Sequence, residues 1–161
     1  MTKTVRVREH NLTNRLELGI RPFQSGDDIE RLVREFEACT LPKSQWTHGA
    51  HLTVALWYLM NRSAQDATMS IRSGIRRYNE ANGVRVTSTG GYHETMTLFW
   101  TCAVSFYLGQ AGEGRSILTL ANGLLRLLAN KNLPLEYYSS ERLMSWPART
   151  GWLAPDLKPL F

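Results

Sequence analysis

The chain has 161 residues, 43% of them hydrophobic, which is enough apolar surface for one sizeable core and argues against a second. Lys and Arg number 19 against 14 Asp and Glu, and the resulting net charge of +5 suits an anionic ligand, nucleic acid or simple solubility. No stretch approaches the roughly 20 apolar residues of a membrane span, and the N-terminal residues lack the apolar centre of a signal peptide. We therefore expect a soluble, cytoplasmic protein that does not enter a membrane.

The chain divides into a short N-terminal arm and one helical domain. Residues 1–24 carry few apolar side chains and are predicted to form a flexible or edge arm, and residues 25–161 form the domain. The first helix is predicted over about 26–38, because two aspartates occupy its first turn and apolar residues then recur at helical spacing. It should end before Pro42, since the residue before a proline avoids the α region.

Two further helices are predicted in the first half of the domain. The second begins at about residue 45 or 48 and ends at Met60, with apolar residues three and four apart on one face. The third is predicted over about 64–82, because Ser63 opens a capping-box pattern and Gly83 suits the position after a helix.

The second half begins with a polar, Gly-rich segment over 84–91, which is predicted to be a loop over a site. Helix four should start near Tyr92 and is apolar on nearly every side, as expected of a central buried helix. A Leu-rich fifth helix is predicted over about 116–131. With a short helical or extended C-terminal segment, these elements predict an all-α bundle of about five helices.

Three of the four histidines fall in two short motifs, T-H-G-A-H at 47–51 and Y-H-E-T at 92–95. His48 and His51 are three residues apart on one helix, so both imidazoles can reach a common centre. Neutral imidazole is a common ligand of transition metals, and bundles often combine ligands from facing helices. We therefore predict a divalent metal ion on His48, His51 and His93, without distinguishing Zn, Fe, Ni and Mn. Three protein ligands would leave a coordination position open for substrate.

The adjacent residues His93 and Glu94 leave two arrangements open, because neighbours on a helix point about 100° apart. In the preferred arrangement His93 is a metal ligand and Glu94 is the general base. In the other, Glu94 completes a two-histidine, one-carboxylate set and His93 lines the pocket. A purely structural explanation is also available, in which His48 and His51 are partly exposed and Glu94 simply stabilises a helix N-terminus.

Four further residues are candidates for binding a ligand. Tyr92 and Thr95 lie beside the second histidine motif and can form hydrogen bonds, although aromatic residues at helical spacing are more often part of a core. Asn79 and Arg142 can bind a carboxylate or a phosphate group.

The basic residues give only a weak signal for nucleic-acid binding. Arg72, Arg76 and Arg77 form a local cluster, but no known nucleic-acid-binding motif accompanies it. Other arginines are scattered, and several lie four residues from an acid, as Arg76 does from Glu80, which is typical of a solvated helix face.

Four segments of the chain together resemble a family of small bacterial helical proteins without an established activity. These segments are FEACTLPKSQWTHGAHL (36–52), IRRYNEANG (75–83), GYHETMT (91–97) and ARTGWLAPDLKPL (148–160). The resemblance implies a helical domain in which the T-H-x-x-H-L and G-Y-H-E-T motifs belong together. It implies no reaction, substrate or metal.

Three functions remain as hypotheses at this point. The first is a metal-dependent enzyme that acts on a small polar molecule, with Glu94 moving a proton. The second is a metal-free protein that binds a small-molecule ligand in the same pocket. The third, ranked last, is a basic nucleic-acid-binding helical domain. The sequence leaves open whether the chain forms a homo-oligomer.

Overall fold

The computed structural model describes residues 21–161, and this part of the chain is built from helices and contains no strand. The long helices are α1 (Gly26–Glu37), α2 (His48–Asn61), α3 (Ala64–Ala81), α4 (Glu94–Ala111) and α5 (Ile117–Leu127). Two short helices follow, α6 (Ser140–Leu143) and α7 (Trp146–Thr150), and 3-10 turns cover Lys43–Gln45 and Leu133–Glu136. The predicted all-α bundle is confirmed. Most of the predicted N-terminal arm, residues 1–20, lies outside the described residues.

Most of the long helices begin at a short polar side chain that caps free backbone amides. Ser25 and Asp28 form a reciprocal capping box at the start of α1. The hydroxyl groups of Thr47, Ser63 and Ser116 accept hydrogen bonds from backbone amides at the starts of α2, α3 and α5. Caps of this kind can be recognised from neighbouring residues in the sequence. The predicted starts of α2 and α3 are correct for this reason.

Two predicted boundaries in the second half are wrong. Helix α4 begins at Glu94 instead of Tyr92, because His93 has an extended backbone and acts as its N-cap. Helix α5 ends at Leu127 instead of residue 131. Beyond that point the carbonyl group of Leu128 lies 2.9 Å from a ring nitrogen of His48 and does not continue the helical hydrogen bonds.

The central helix is α2, which packs against α1, α3, α4 and α5. It is buried on several sides, by residues that include Leu52, Val54 and Leu56. The apolar sequence of α4 predicts that α4 is central, but its second half reaches the surface, where the Phe106 side chain is 46% exposed. The position of α2 places its first turn, with both histidines, between the neighbouring helices.

The C-terminal segment covers the outer side of α4. Helix α7 packs on α4. An apolar cluster, separate from the core around α2, joins Phe99 of α4 to Tyr137, Tyr138 and Leu143. Between residues 21 and 161, no helix is both long and apolar enough to cross a bilayer.

Candidate functional site

A cavity of about 650 Å³ lies beside the first turn of α2, and three of the four histidines line it. His48 and His51 come from the first turn of α2, and His93 comes from the N-cap of α4. Val84 and Gly91, at the two ends of the segment predicted to lie over a site, also border the cavity. The bundle thus brings both histidine motifs to one place.

The walls of the cavity are mainly aromatic and aliphatic. Trp46, Tyr78 and Trp100 contribute rings, and the remaining apolar lining comes from Ala55, Ile71, Ile75, Val84 and Met96. The charged lining residues in the described part of the chain are Lys43 and Lys131, both exposed and therefore at the rim. The cavity thus combines an apolar interior with a positive edge.

His51 is held in one orientation by a backbone carbonyl and an indole ring. Its Nδ1 atom lies 2.8 Å from the Thr47 carbonyl oxygen, and its ring lies 3.8 Å from the ring of Trp46, centroid to centroid. A carbonyl oxygen only accepts hydrogen bonds, so Nδ1 carries the proton and Nε2 of the neutral ring has a lone pair. Burial lowers the pKa of His51 to about 4, which keeps the imidazole neutral at pH 7.

His48 is oriented in a similar way but through its other nitrogen. Its Nε2 atom donates to the carbonyl oxygen of Leu128 at 2.9 Å, so the lone pair of the neutral ring is on Nδ1. The edge of the ring meets Trp100, with centroids 4.5 Å apart. Burial lowers the pKa of His48, and the nearby charge of Lys131 lowers it further.

His93 uses both ring nitrogens within the fold. Nδ1 accepts a hydrogen bond from the backbone amide of Met96 at 3.2 Å, and Nε2 donates to the carbonyl oxygen of Leu143 at 2.9 Å. Burial lowers the pKa of His93, as expected for a neutral ring with these two partners. His93 therefore connects the start of α4 to the end of α6 and has no lone pair left for a metal ion.

The predicted three-histidine metal centre does not fit this geometry, because a ligand nitrogen of His93 would have to give up a hydrogen bond that holds the fold. Within residues 21–161, no three or more His, Cys, Asp or Glu side chains are grouped so that they could hold a metal ion. The second arrangement, with Glu94 as the third ligand, does not fit the geometry either, because Glu94 does not line the cavity and pairs with Arg72 and Arg76.

Glu94 is a buried structural carboxylate and does not line the cavity. One carboxylate oxygen pairs with Arg72, and the other accepts hydrogen bonds from Arg76 at 3.2 Å and from the Tyr92 hydroxyl group at 2.6 Å. The expected pairing of Arg76 with Glu80 is not formed; Arg76 pairs with Glu94 instead. The predicted role of Glu94 as a general base is therefore not supported, because its oxygens are occupied by two cations and a hydroxyl group.

The four predicted ligand-binding residues divide into two pairs. Asn79 and Tyr92 line the cavity. The Thr95 hydroxyl group instead donates to the carbonyl oxygen of Gly151, and the Arg142 side chain donates to that of Ala154. Thr95 and Arg142 therefore fix the C-terminal segment, and the prediction that they bind a ligand does not fit their positions.

Sequence reasoning missed the residues that give the cavity its walls and charge. Trp100 follows His93 by two helical turns, so the spacing is a signal that these residues share a side of α4. No local pattern identifies Lys131, because only the packing of α5 against α2 brings the chain after α5 to the cavity.

No protein-family model, curated protein or solved structure matched the chain.

Proposed function

We propose that this protein binds a small organic anion with a flat, apolar body in the cavity beside α2, and that it does so without a metal ion. The observation that carries this proposal is the composition of the lining, in which aromatic and aliphatic side chains form the interior and Lys43 and Lys131 form the rim. A small-molecule site of this kind has mostly apolar walls and a few polar groups that set orientation.

The dimensions and shape of the cavity favour a ligand the size of one or two fused rings with substituents. Its volume of about 650 Å³ is typical of a site for a small molecule. The indole rings of Trp46 and Trp100 offer flat surfaces, and aromatic rings prefer stacked or edge-to-face contact with one another. A planar ligand therefore fits these walls better than a bulky, fully polar one.

The positive charge at the rim favours a negatively charged ligand. Lys43 and Lys131 are exposed, so each ammonium group can pair with a carboxylate, sulfonate or phosphate that remains near solvent. Glu94 is a buried carboxylate that follows the lining residue His93 in the chain. Its charge is already paired with Arg72 and Arg76. The electrostatic preference of the rim is consequently for an anion.

The proposal is tested by isothermal titration calorimetry with 2-naphthoate and its neutral analogue 2-naphthamide. We expect saturable 2-naphthoate binding, roughly fivefold to tenfold tighter than 2-naphthamide binding, since two exposed ion pairs each contribute up to about 1 kcal/mol. The double variant Lys43→Met/Lys131→Met should bind the two compounds equally. Lys158→Met is the matched control, because Lys158 pairs with Glu136 and does not line the cavity. Absence of saturable binding, or equal affinity of the wild-type protein for both compounds, would contradict the proposal.

A further inference from the structure

We infer that His48 and His51 are fixed hydrogen-bond acceptors in this cavity, so that its ligand is an organic anion that also carries an O–H or N–H donor. A hydroxyaromatic carboxylate is an example of this class. The inference rests on the proposed function and adds to it the polar group that distinguishes one aromatic anion from another.

The first step is that both rings have a defined tautomer. His48 donates from Nε2 to the Leu128 carbonyl oxygen at 2.9 Å, and His51 donates from Nδ1 to the Thr47 carbonyl oxygen at 2.8 Å. Neither carbonyl group can supply a proton, so each neutral ring is left with a lone pair on its opposite nitrogen. Such an arrangement, in which the backbone holds the N–H group, fixes both the ring orientation and the accepting atom.

The second step is that these accepting atoms are free. In the described part of the chain, His48 Nδ1 and His51 Nε2 have no protein hydrogen-bond donor, and both side chains line the cavity. Once a ligand displaces water from the cavity, an acceptor in this mostly apolar site costs free energy unless the ligand satisfies it. A ligand with an O–H or N–H group supplies that partner.

The third step is a comparison within the same cavity. His93 also lines it, but both of its nitrogens already bond to Met96 and Leu143. Two of the three imidazoles therefore remain to recognise a donor, and both belong to the first turn of α2. A ligand that has an ether or a methyl group at that position leaves these acceptors unpaired, and such mismatches strongly reduce affinity.

The experiment compares 6-hydroxy-2-naphthoate with 6-methoxy-2-naphthoate by calorimetry at pH 7.5, where both imidazoles are neutral. These compounds share the carboxylate and the ring system and differ only in the donor. We expect the wild-type protein to bind the hydroxy compound about tenfold more tightly, the difference expected for one hydrogen bond that is gained or left unpaired. His48→Phe and His51→Phe should each reduce this preference, because phenylalanine keeps a flat ring and removes the acceptor.

The control is Lys158→Met, which lies outside the cavity lining and should preserve the ratio of the two affinities. Equal binding of the two naphthoates by the wild-type protein would overturn the inference and leave the proposed function standing. If neither compound bound, both proposals would fail together. Should a phenylalanine variant not fold, nitrogen-15 NMR of the wild-type protein decides: the inference requires Nε2–H at His48 and Nδ1–H at His51, and the opposite tautomers would refute it.

Discussion

The Tyr92 hydroxyl group donates a hydrogen bond of 2.6 Å to the carboxylate of Glu94, and both residues lie where the chain enters α4. Arg72 and Arg76 of α3 pair with the same carboxylate, and the guanidinium of Arg76 lies 4.4 Å from the centre of the Tyr92 ring. Burial and the adjacent carboxylate raise the pKa of Tyr92 to about 12, so its hydroxyl group remains a donor. One wall of the cavity is therefore supported by a network of polar contacts behind it.

Replacing Glu94 with Gln should lower the free energy of unfolding by about 1–3 kcal/mol, because two arginines lose their negative partner and can form hydrogen bonds only to an uncharged amide. The loss should be smaller than for a fully buried pair, since the Arg76 side chain is 52% exposed. Urea denaturation measures the effect. Glu80→Gln is the control, because Glu80 is an exposed acid on the same helix as Arg76. Equal stability of the two variants would show that the network around Glu94 contributes little.

Replacing Thr95 with Val should loosen the C-terminal segment. The Thr95 hydroxyl group donates to the Gly151 carbonyl oxygen at 2.8 Å and accepts from the Leu153 amide at 3.0 Å, and valine satisfies neither group. We expect a loss of about 1–3 kcal/mol in the free energy of unfolding and faster hydrogen exchange at the Leu153 amide. Thr68→Val removes an exposed hydroxyl group that bonds only to a carbonyl of its own helix, and it should leave that exchange rate unchanged.

The helices were largely predictable because their signals are local. Ser25, Thr47 and Ser63 each precede a helix and cap it through a contact three residues along the chain, so sequence spacing is sufficient to find them. Helix α4 starts two residues later than the sequence predicts, because its cap is His93, which is not one of the short polar residues that usually occupy this position.

The site was predictable only in part, because composition does not specify the partners of a polar atom. Spacing correctly grouped His48 and His51, but the contact of His93 with Leu143 joins residues 50 positions apart. The pairing of Arg72 with Glu94 likewise depends on the packing of α3 against α4. Tertiary contacts of this kind determine whether an imidazole or a carboxylate is free for chemistry.

Gly91 should be difficult to replace, because it borders the cavity in a backbone conformation that favours glycine. Its φ angle is +80°, and an added Cβ atom would lie 2.9 Å from the Cα atom of Val86. Gly91→Ala should therefore reduce the free energy of unfolding by roughly 1–3 kcal/mol. Gly90→Ala is the matched control, since a Cβ atom there meets only the Thr87 hydroxyl oxygen, at 3.5 Å. Thermal unfolding of both variants measures the difference, and equal melting temperatures would contradict the strain argument.

The stability of the protein should fall as the pH is lowered from about 6.5 to 4, and His51 should be a major cause. Burial lowers the pKa of His51 from an ordinary value of 6.5 to about 4, so in this range the unfolded chain binds a proton that the folded protein does not. The contribution of His51 is therefore fully present above pH 6.5 and is lost as the pH falls towards 4. His48, whose pKa is also lowered, adds to the loss.

His51→Phe removes this titration while it keeps a flat ring beside Trp46. Between pH 6.5 and 4.5 the variant should lose less free energy of unfolding than the wild-type protein. The difference between the two losses should be no more than about 3 kcal/mol, because each unit of pKa shift corresponds to about 1.4 kcal/mol. The free energy of unfolding of both proteins is measured by urea denaturation at several pH values. Carboxylates contribute equally to the pH dependence of both proteins, so the difference between the two slopes of unfolding free energy against pH reports on His51. Lys158→Met, which lies away from the cavity, should reproduce the wild-type slope. Parallel curves for His51→Phe and the wild-type protein, or an NMR titration that places the pKa of His51 near 6.5, would mean that the ring is solvated and not held neutral by burial.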